Sequence, residues 1–164
     1  MNYRKGTIND IDPVFDMVKK VIDDMNRRGL YQWDDIYPAK SDFLSDIEND
    51  TLYVFENENA IIAVYVISEE SDEAYAKCKW DNPDDTTCII HRLCIDPEYQ
   101  NHGLGKKIMQ HIEEQAKKMD YESIRLDVFT ENPRALALYK NSGYEERGYA
   151  DWRKGRFLLM EKKI

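Results

Sequence analysis

The stretch Gln100-Asn101-His102-Gly103-Leu104-Gly105-Lys106 constrains this chain more than any other. It follows a β-branched run that ends at Asp96-Pro97, and it opens a helix whose apolar residues Leu104, Ile108, Ile112, Ala116 and Met119 share one face. Glycines between a strand and a helix let the backbone curl tightly, so several amides and the helix N-terminus can converge on an anion such as a pyrophosphate. The same residues also read as an ordinary glycine-rich helix start. A dinucleotide fingerprint is broken by Ile108, and Gly105-Lys106 lacks both the leading glycine and the following Ser/Thr of a P-loop.

Strand and helix patterns alternate around that turn. Tyr3 to Lys5 reads as a short strand, and Asn9 or Asp10 caps a helix with Pro13 in its first turn. Ile11, Val14, Val18, Val21 and Met25 line its buried face as far as Gly29. An aperiodic aromatic stretch, LYQWDDIYPAK, precedes a short helix that Ser41 is expected to cap. Thr51 to Phe55 and Ala60 to Ile67 flank an Asn57-Glu58-Asn59 turn and read as a hairpin, and Thr87 to Ile95 reads as a third strand. Ile124, Leu126 and Val128 alternate, Asn132-Pro133 starts a helix that ends at Gly143, and Tyr144 to Tyr149 and Phe157 to Met160 make a last pair of strands. The fold expected is a mixed α/β single domain over residues 1–164 with an interior sheet.

Charge and composition exclude several functions. Lys and Arg number 23 against 32 Asp and Glu, a net charge of −9 that argues against nucleic acid and anionic membranes as partners. No apolar run approaches the roughly 20 residues of a membrane span, and MNYRKGTINDID lacks the apolar stretch of a signal peptide, so a cytoplasmic protein is expected. Three cysteines, an odd number, fit free thiols. Seven acids lie between Glu69 and Asp85 against Lys77 and Lys79, which reads as a solvated loop or irregular excursion rather than a linker between domains.

Two segments carry a family resemblance. HRLCIDPEYQNHGLGKKI resembles the Q/R-x-x-G-x-G/A acetyl-CoA motif of the GNAT N-acetyltransferase superfamily, and NPRALALYKNSGYEERG resembles that family's second motif. The resemblance implies a GNAT-like acyl-CoA N-acyltransferase fold, with a central mixed, mostly antiparallel sheet flanked by helices, and acetyl-CoA as cosubstrate without a metal. It also implies that backbone groups of Leu93, Cys94 and Ile95 hold the pantetheine arm and the thioester carbonyl. Gln100, Asn101, His102, Gly103, Leu104, Gly105 and Lys106 would cradle the pyrophosphate, Asn132 would contact the cofactor arm, and Tyr139 would contact the coenzyme and act as the general acid. No Asp or Glu lies between Thr87 and Ile95, which leaves His91 as the strand's candidate base. Trp33 and Tyr37 would wall the acceptor side, with Asp34 or Asp35 drawing in an ammonium and Asp151 and Trp152 as a second candidate wall.

Each of these residues also has a structural reading. Tyr139 can be a packed helix tyrosine, Asn132 an N-cap, His91 a hydrogen-bonded structural histidine, and Trp33 and Tyr37 a plug between helices. Strand alternation puts His91 opposite Cys88 and Cys94, against a shared metal and against an activated Cys94 nucleophile. The expected function is direct acetyl transfer from acetyl-CoA to a primary amine of a small molecule or peptide, by a monomer or homodimer. An acyl-CoA-binding regulatory module without turnover and an acidic protein-interaction domain are the alternatives.

Overall fold

The computed structural model describes residues 2–164, a mixed α/β fold with a seven-stranded sheet and four α-helices. In chain order these are β1 (Asn2–Lys5), α1 (Ile11–Arg27), α2 (Lys40–Glu48), β2 (Leu52–Asn57), β3 (Ala60–Ser68), β4 (Thr87–Ile95), α3 (Leu104–Lys118), β5 (Ser123–Phe129), α4 (Pro133–Asn141), β6 (Glu145–Trp152) and β7 (Gly155–Lys163). That order is the one the periodicities predict. The described residues form two compact units, 2–67 with 92–102 and 68–91 with 103–164.

In the first unit β1, β2 and β3 pair antiparallel. Glu58 and Asn59 at the tip of the β2–β3 hairpin both take positive φ, the twist a tight two-residue turn requires. Val14 and Val18 of α1, Phe43 of α2, Leu52 and Val54 of β2 and Ile62 and Val64 of β3 are buried. Ser41 does not cap α2. Ala39 is the N-cap residue, and Asp42 reaches back to accept a hydrogen bond from its amide at 2.7 Å, because the charged acceptor sits where the first turn's dipole favours it.

In the second unit β4 pairs parallel with β5, and β5, β7 and β6 run antiparallel. The buried residues Ile108, Ile112 and Ala116 of α3 form the apolar face expected of it, and α3 packs on β5. In the acidic segment 69–85 all seven acids are exposed, while its apolar residues turn inward. It forms a strap with two short 3₁₀ turns that lays Tyr75, Cys78 and Trp80 over Ile89, Ala150 and Leu159. A Cβ on Gly148 would sit 2.5 Å from the Cys78 sulfur, so the close approach of strap to β6 uses that glycine's missing side chain.

Glu161 of β7, only 1% exposed, anchors the strap by accepting hydrogen bonds from the amides of Asp81 at 2.9 Å and Asn82 at 3.3 Å. Arg125 of β5 donates to Glu161 at 3.2 Å, to Asp84 at 2.6 Å and to the Asn82 carbonyl at 2.6 Å, with its guanidinium 4.2 Å from the centre of the Trp80 ring. Removing one member of such a buried set leaves an uncompensated charge. Glu161→Ala is therefore expected to lower stability by about 3–5 kcal/mol, read as a shift of the urea midpoint; an unchanged midpoint would contradict this account of the strap.

Candidate active site

The ladder between β4 and β5 runs from Thr87↔Ser123 to Ile90↔Leu126 and stops there. Two residues further along β4, Arg92 has φ of +50°, a left-handed conformation inside a strand. The alternation assumed between His91 and Cys94 is thus interrupted at Arg92, and the opposite-face argument drawn from it does not hold beyond that residue. Cys94 is nonetheless inert as a nucleophile, since burial pushes its thiol up to about 12 and Asp96 adds to the effect. Cys88 is likewise raised to about 12 by burial. Among the described residues, no group of three or more His, Cys, Asp or Glu side chains is placed to hold a metal ion.

Gln100 to Lys106 form an open turn into α3. The Gln100 amide nitrogen donates to the Ile95 carbonyl at 2.9 Å, so this side chain ties the turn to the end of β4. Asn101 has φ of +65°, and Gly103, the N-cap residue of α3, has φ of +73° and ψ of 4°. A Cβ on Gly103 would meet no atom within 4 Å. No side chain caps this helix and its first turn holds no acid. Amides at an uncapped, acid-free helix start in open surroundings suit an anion. Asn101, His102 and Lys106 are exposed, Leu104 is buried, and Gly105 is partly buried.

On α4 the Asn132 carboxamide oxygen accepts from the Ala135 amide at 3.1 Å, so Asn132 is an N-cap. Its φ of −103° and ψ of 83° place it outside the helix proper. Tyr139 is 8% exposed, with its ring edge-on to Tyr144 at 6.1 Å.

A carboxylate that the sequence reading passed over lies on β5. Ile124, Leu126 and Val128 face one way, which leaves Arg125 and Asp127 on the face that the strap covers. Tyr75 donates to Asp127 at 2.9 Å, and burial, with Asp72 adding to it, raises this carboxyl to about 6 against the Tyr75 hydrogen bond that lowers it. Its signal in the sequence is an acid within an apolar strand, missed because the search for a base stopped at the strand before the glycine turn. His91 belongs to the same face, since it lies two residues beyond Ile89, the register partner of Arg125. Its Nε2 lies 2.9 Å from the Glu70 carbonyl, which only an N–H can satisfy, so Nδ1 is the basic nitrogen of the neutral ring.

The aromatic segment between α1 and α2 divides its two predicted wall residues. Trp33 is 7% exposed and fills the plug role, whereas Tyr37 is 39% exposed. The Asp34 carboxylate accepts from the amides of Ile36 at 3.0 Å and Tyr37 at 3.1 Å, fixing the turn, while Asp35 is exposed. Arg92 donates to the Tyr37 hydroxyl at 3.0 Å and grips both oxygens of Asp46. Asp151 is paired with Arg156 at 2.8 Å, and the Trp152 indole donates to Asp72 at 3.3 Å.

Comparison with known proteins follows from this geometry. The model of the Acetyltransferase (GNAT) family matches residues 17–144. The uncharacterized N-acetyltransferase YesJ of Bacillus subtilis (strain 168) is 24% identical over 158 residues, covering 94% of this chain and 86% of its own. The [ribosomal protein bS18]-alanine N-acetyltransferase of Escherichia coli (strain K12) is 32% identical over 57 residues, 35% of this chain and 38% of its own. Among solved structures, a GNAT-family acetyltransferase from Streptococcus agalactiae 2603 superposes with a TM-score of 0.87 at 21% identity, covering 99% of this chain and 95% of that one. The PaiA N-acetyltransferase of Thermoplasma acidophilum, in complex with coenzyme A, gives 0.73 at 18% identity, covering 99% and 98%.

The raised carboxyl of Asp127 carries a pH signature. Its folded value lies above its unfolded one, so the stability it allows is present in full below about pH 4 and is lost as the pH rises through about 6. Asp127→Asn is expected to be more stable than the parent at pH 7, by on the order of 2 kcal/mol, with the gain vanishing below about pH 4. Urea unfolding at a series of pH values checks this, and a gain that does not vary with pH would refute it.

Proposed function

The chain belongs to the GNAT acetyltransferase family and is an N-acetyltransferase, and from that premise we propose that it moves acetyl from acetyl-CoA directly to a primary amine of a small molecule or peptide. The observation that carries this reading is the uncapped, acid-free start of α3 behind left-handed Gly103, open where a pyrophosphate would dock. The thioester supplies an activated acetyl group that needs no enzyme nucleophile, in keeping with the protonated, buried Cys94. Backbone groups of Leu93, Cys94 and Ile95 beyond the end of the β4–β5 ladder are the candidates to hold the pantetheine arm. The bS18-alanine N-acetyltransferase relative favours a peptide α-amine as one acceptor class, and the net charge of −9 favours cationic acceptors generally.

In this reading Tyr139 donates the proton that the departing coenzyme thiolate takes up. A phenol titrating near 10 can serve a thiolate whose thiol titrates near 8.5 only when the two are well aligned, and the close packing of Tyr139 limits its ring to few orientations. Asp127 is the better supported base. It sits one position beyond the last β4–β5 pair, is partly accessible, and stays ionised at pH 7 while remaining basic enough to accept a proton. His91, on the same face, is the second candidate through Nδ1.

Release of coenzyme thiol from acetyl-CoA in the presence of pooled peptides, polyamines and amino sugars tests the reading. Tyr139→Phe is expected to lower kcat by roughly 100-fold or more with coenzyme affinity within about 3-fold. Asp127→Asn is expected to remove the acid limb of the pH–rate profile, and His91→Gln to leave that limb in place. Coenzyme binding without turnover of any pool would instead support a regulatory module.

A further inference from the structure

Arg92 is a costly residue for its position. A side chain at φ of +50° inside a strand is strained, and glycine would adopt that conformation freely. The arginine is nevertheless deeply committed: its side chain is 15% exposed and that of Asp46 8%. Its Nε donates to one Asp46 oxygen at 2.7 Å, its Nη2 to the other, and its Nη1 to the Tyr37 hydroxyl at 3.0 Å. Asp46 is itself fixed on α2, where its carbonyl accepts from the amide of Thr51 at 2.9 Å and from its hydroxyl at 3.1 Å. One guanidinium thus joins three separate segments of the first unit: the kink in β4, the end of α2, and the exposed tyrosine of the α1–α2 connection.

We propose that Arg92 is a positioning residue for acetyl transfer, whose fork on Asp46 holds the left-handed kink in β4 and whose remaining nitrogen holds Tyr37 as the wall of the acceptor side. The inference rests on the acetyl-transfer reading above. The kink reorients the peptide groups that follow it, and Leu93, Cys94 and Ile95 are the ones assigned to the thioester and the pantetheine arm. The two duties are separable. Fixing the kink acts on turnover, because it sets where backbone donors meet developing charge, whereas fixing Tyr37 acts on amine binding. A lysine cannot replace the planar fork.

Steady-state kinetics in both substrates, with thermal melts and coenzyme affinity measured on the same samples, test the assignment. Arg92→Ala is expected to lower kcat by roughly 30-fold and raise the amine KM several-fold. Arg92→Gly is expected to recover a good part of kcat, since glycine takes the kink without help, but none of the amine KM. Tyr37→Phe should raise the amine KM alone. Equal kcat in the Ala and Gly variants, or an amine KM untouched by Tyr37→Phe, overturns the proposal, as would losses confined to melting temperature. Arg92→Lys, which leaves a cation beside Asp46, decides the matter if the truncations do not fold: a kcat within about 2-fold of the parent refutes it, and a loss of about 10-fold or more supports it. A parent protein that turns over no amine at all defeats the acetyl-transfer reading, and this inference with it, whereas an active parent with unaffected variants defeats this inference alone.

Discussion

Four residue pairs join β4 to β5, and then the ladder ends. Backbone donors and acceptors that leave a ladder must be satisfied elsewhere, so a strand that departs from its neighbour without an external hold would tend to rejoin it or fray. Here β3 stays hydrogen-bonded along the other side of β4, and a left-handed residue clamped through its own side chain adds a second hold. Because Arg92 is gripped by a carboxylate on a helix, the direction of β4 beyond residue 92 is set by side-chain chemistry as well as by strand pairing. Residues 93–95, the glycine turn and the start of α3 all lie downstream of that point.

The second unit solves a different problem. Its strap carries most of the chain's clustered acids, yet the sheet face beneath it offers two arginines, Arg125 and Arg147, converging on one buried glutamate. Glu161 would be costly to bury alone, and two strap amides with flanking guanidinium groups replace the water it gives up. The same strap brings Tyr75 onto Asp127, so the segment that covers the sheet also shapes the electrostatics of a strongly perturbed carboxyl beneath it.

Element order was legible because it rests on period: apolar spacing on α1 and α3, alternation on β5, and the Asn132-Pro133 start of α4 are local signals. The glycine turn was legible for the same reason. What escaped was decided by distant partners. The path of the acidic segment 69–85 is set by Glu161 and Arg125, 80 and 43 positions from the Asp81 and Asn82 main-chain groups they hold. Ser41 looked like a cap because a serine hydroxyl is a good acceptor, but the carboxylate of Asp42, one residue on, reached the Ala39 amide instead. Alternation along β5 shows which face Asp127 takes but not its environment, and nothing local marks Arg92, since each depends on a partner from another element, Tyr75 in one case and Asp46 in the other.

The way the strap is fastened bears on how such a protein can diversify. Around residue 82 the sheet holds it by main-chain atoms, the amides of Asp81 and Asn82 and the carbonyl of Asn82, whereas elsewhere it is held by side chains, Tyr75 on Asp127 and Asp84 on Arg125. Main-chain anchors are indifferent to the residues that bear them. The residue at 82 can therefore drift while the path there stays fixed by Arg125 and Glu161, whereas Tyr75, which meets Asp127 through its side chain, cannot.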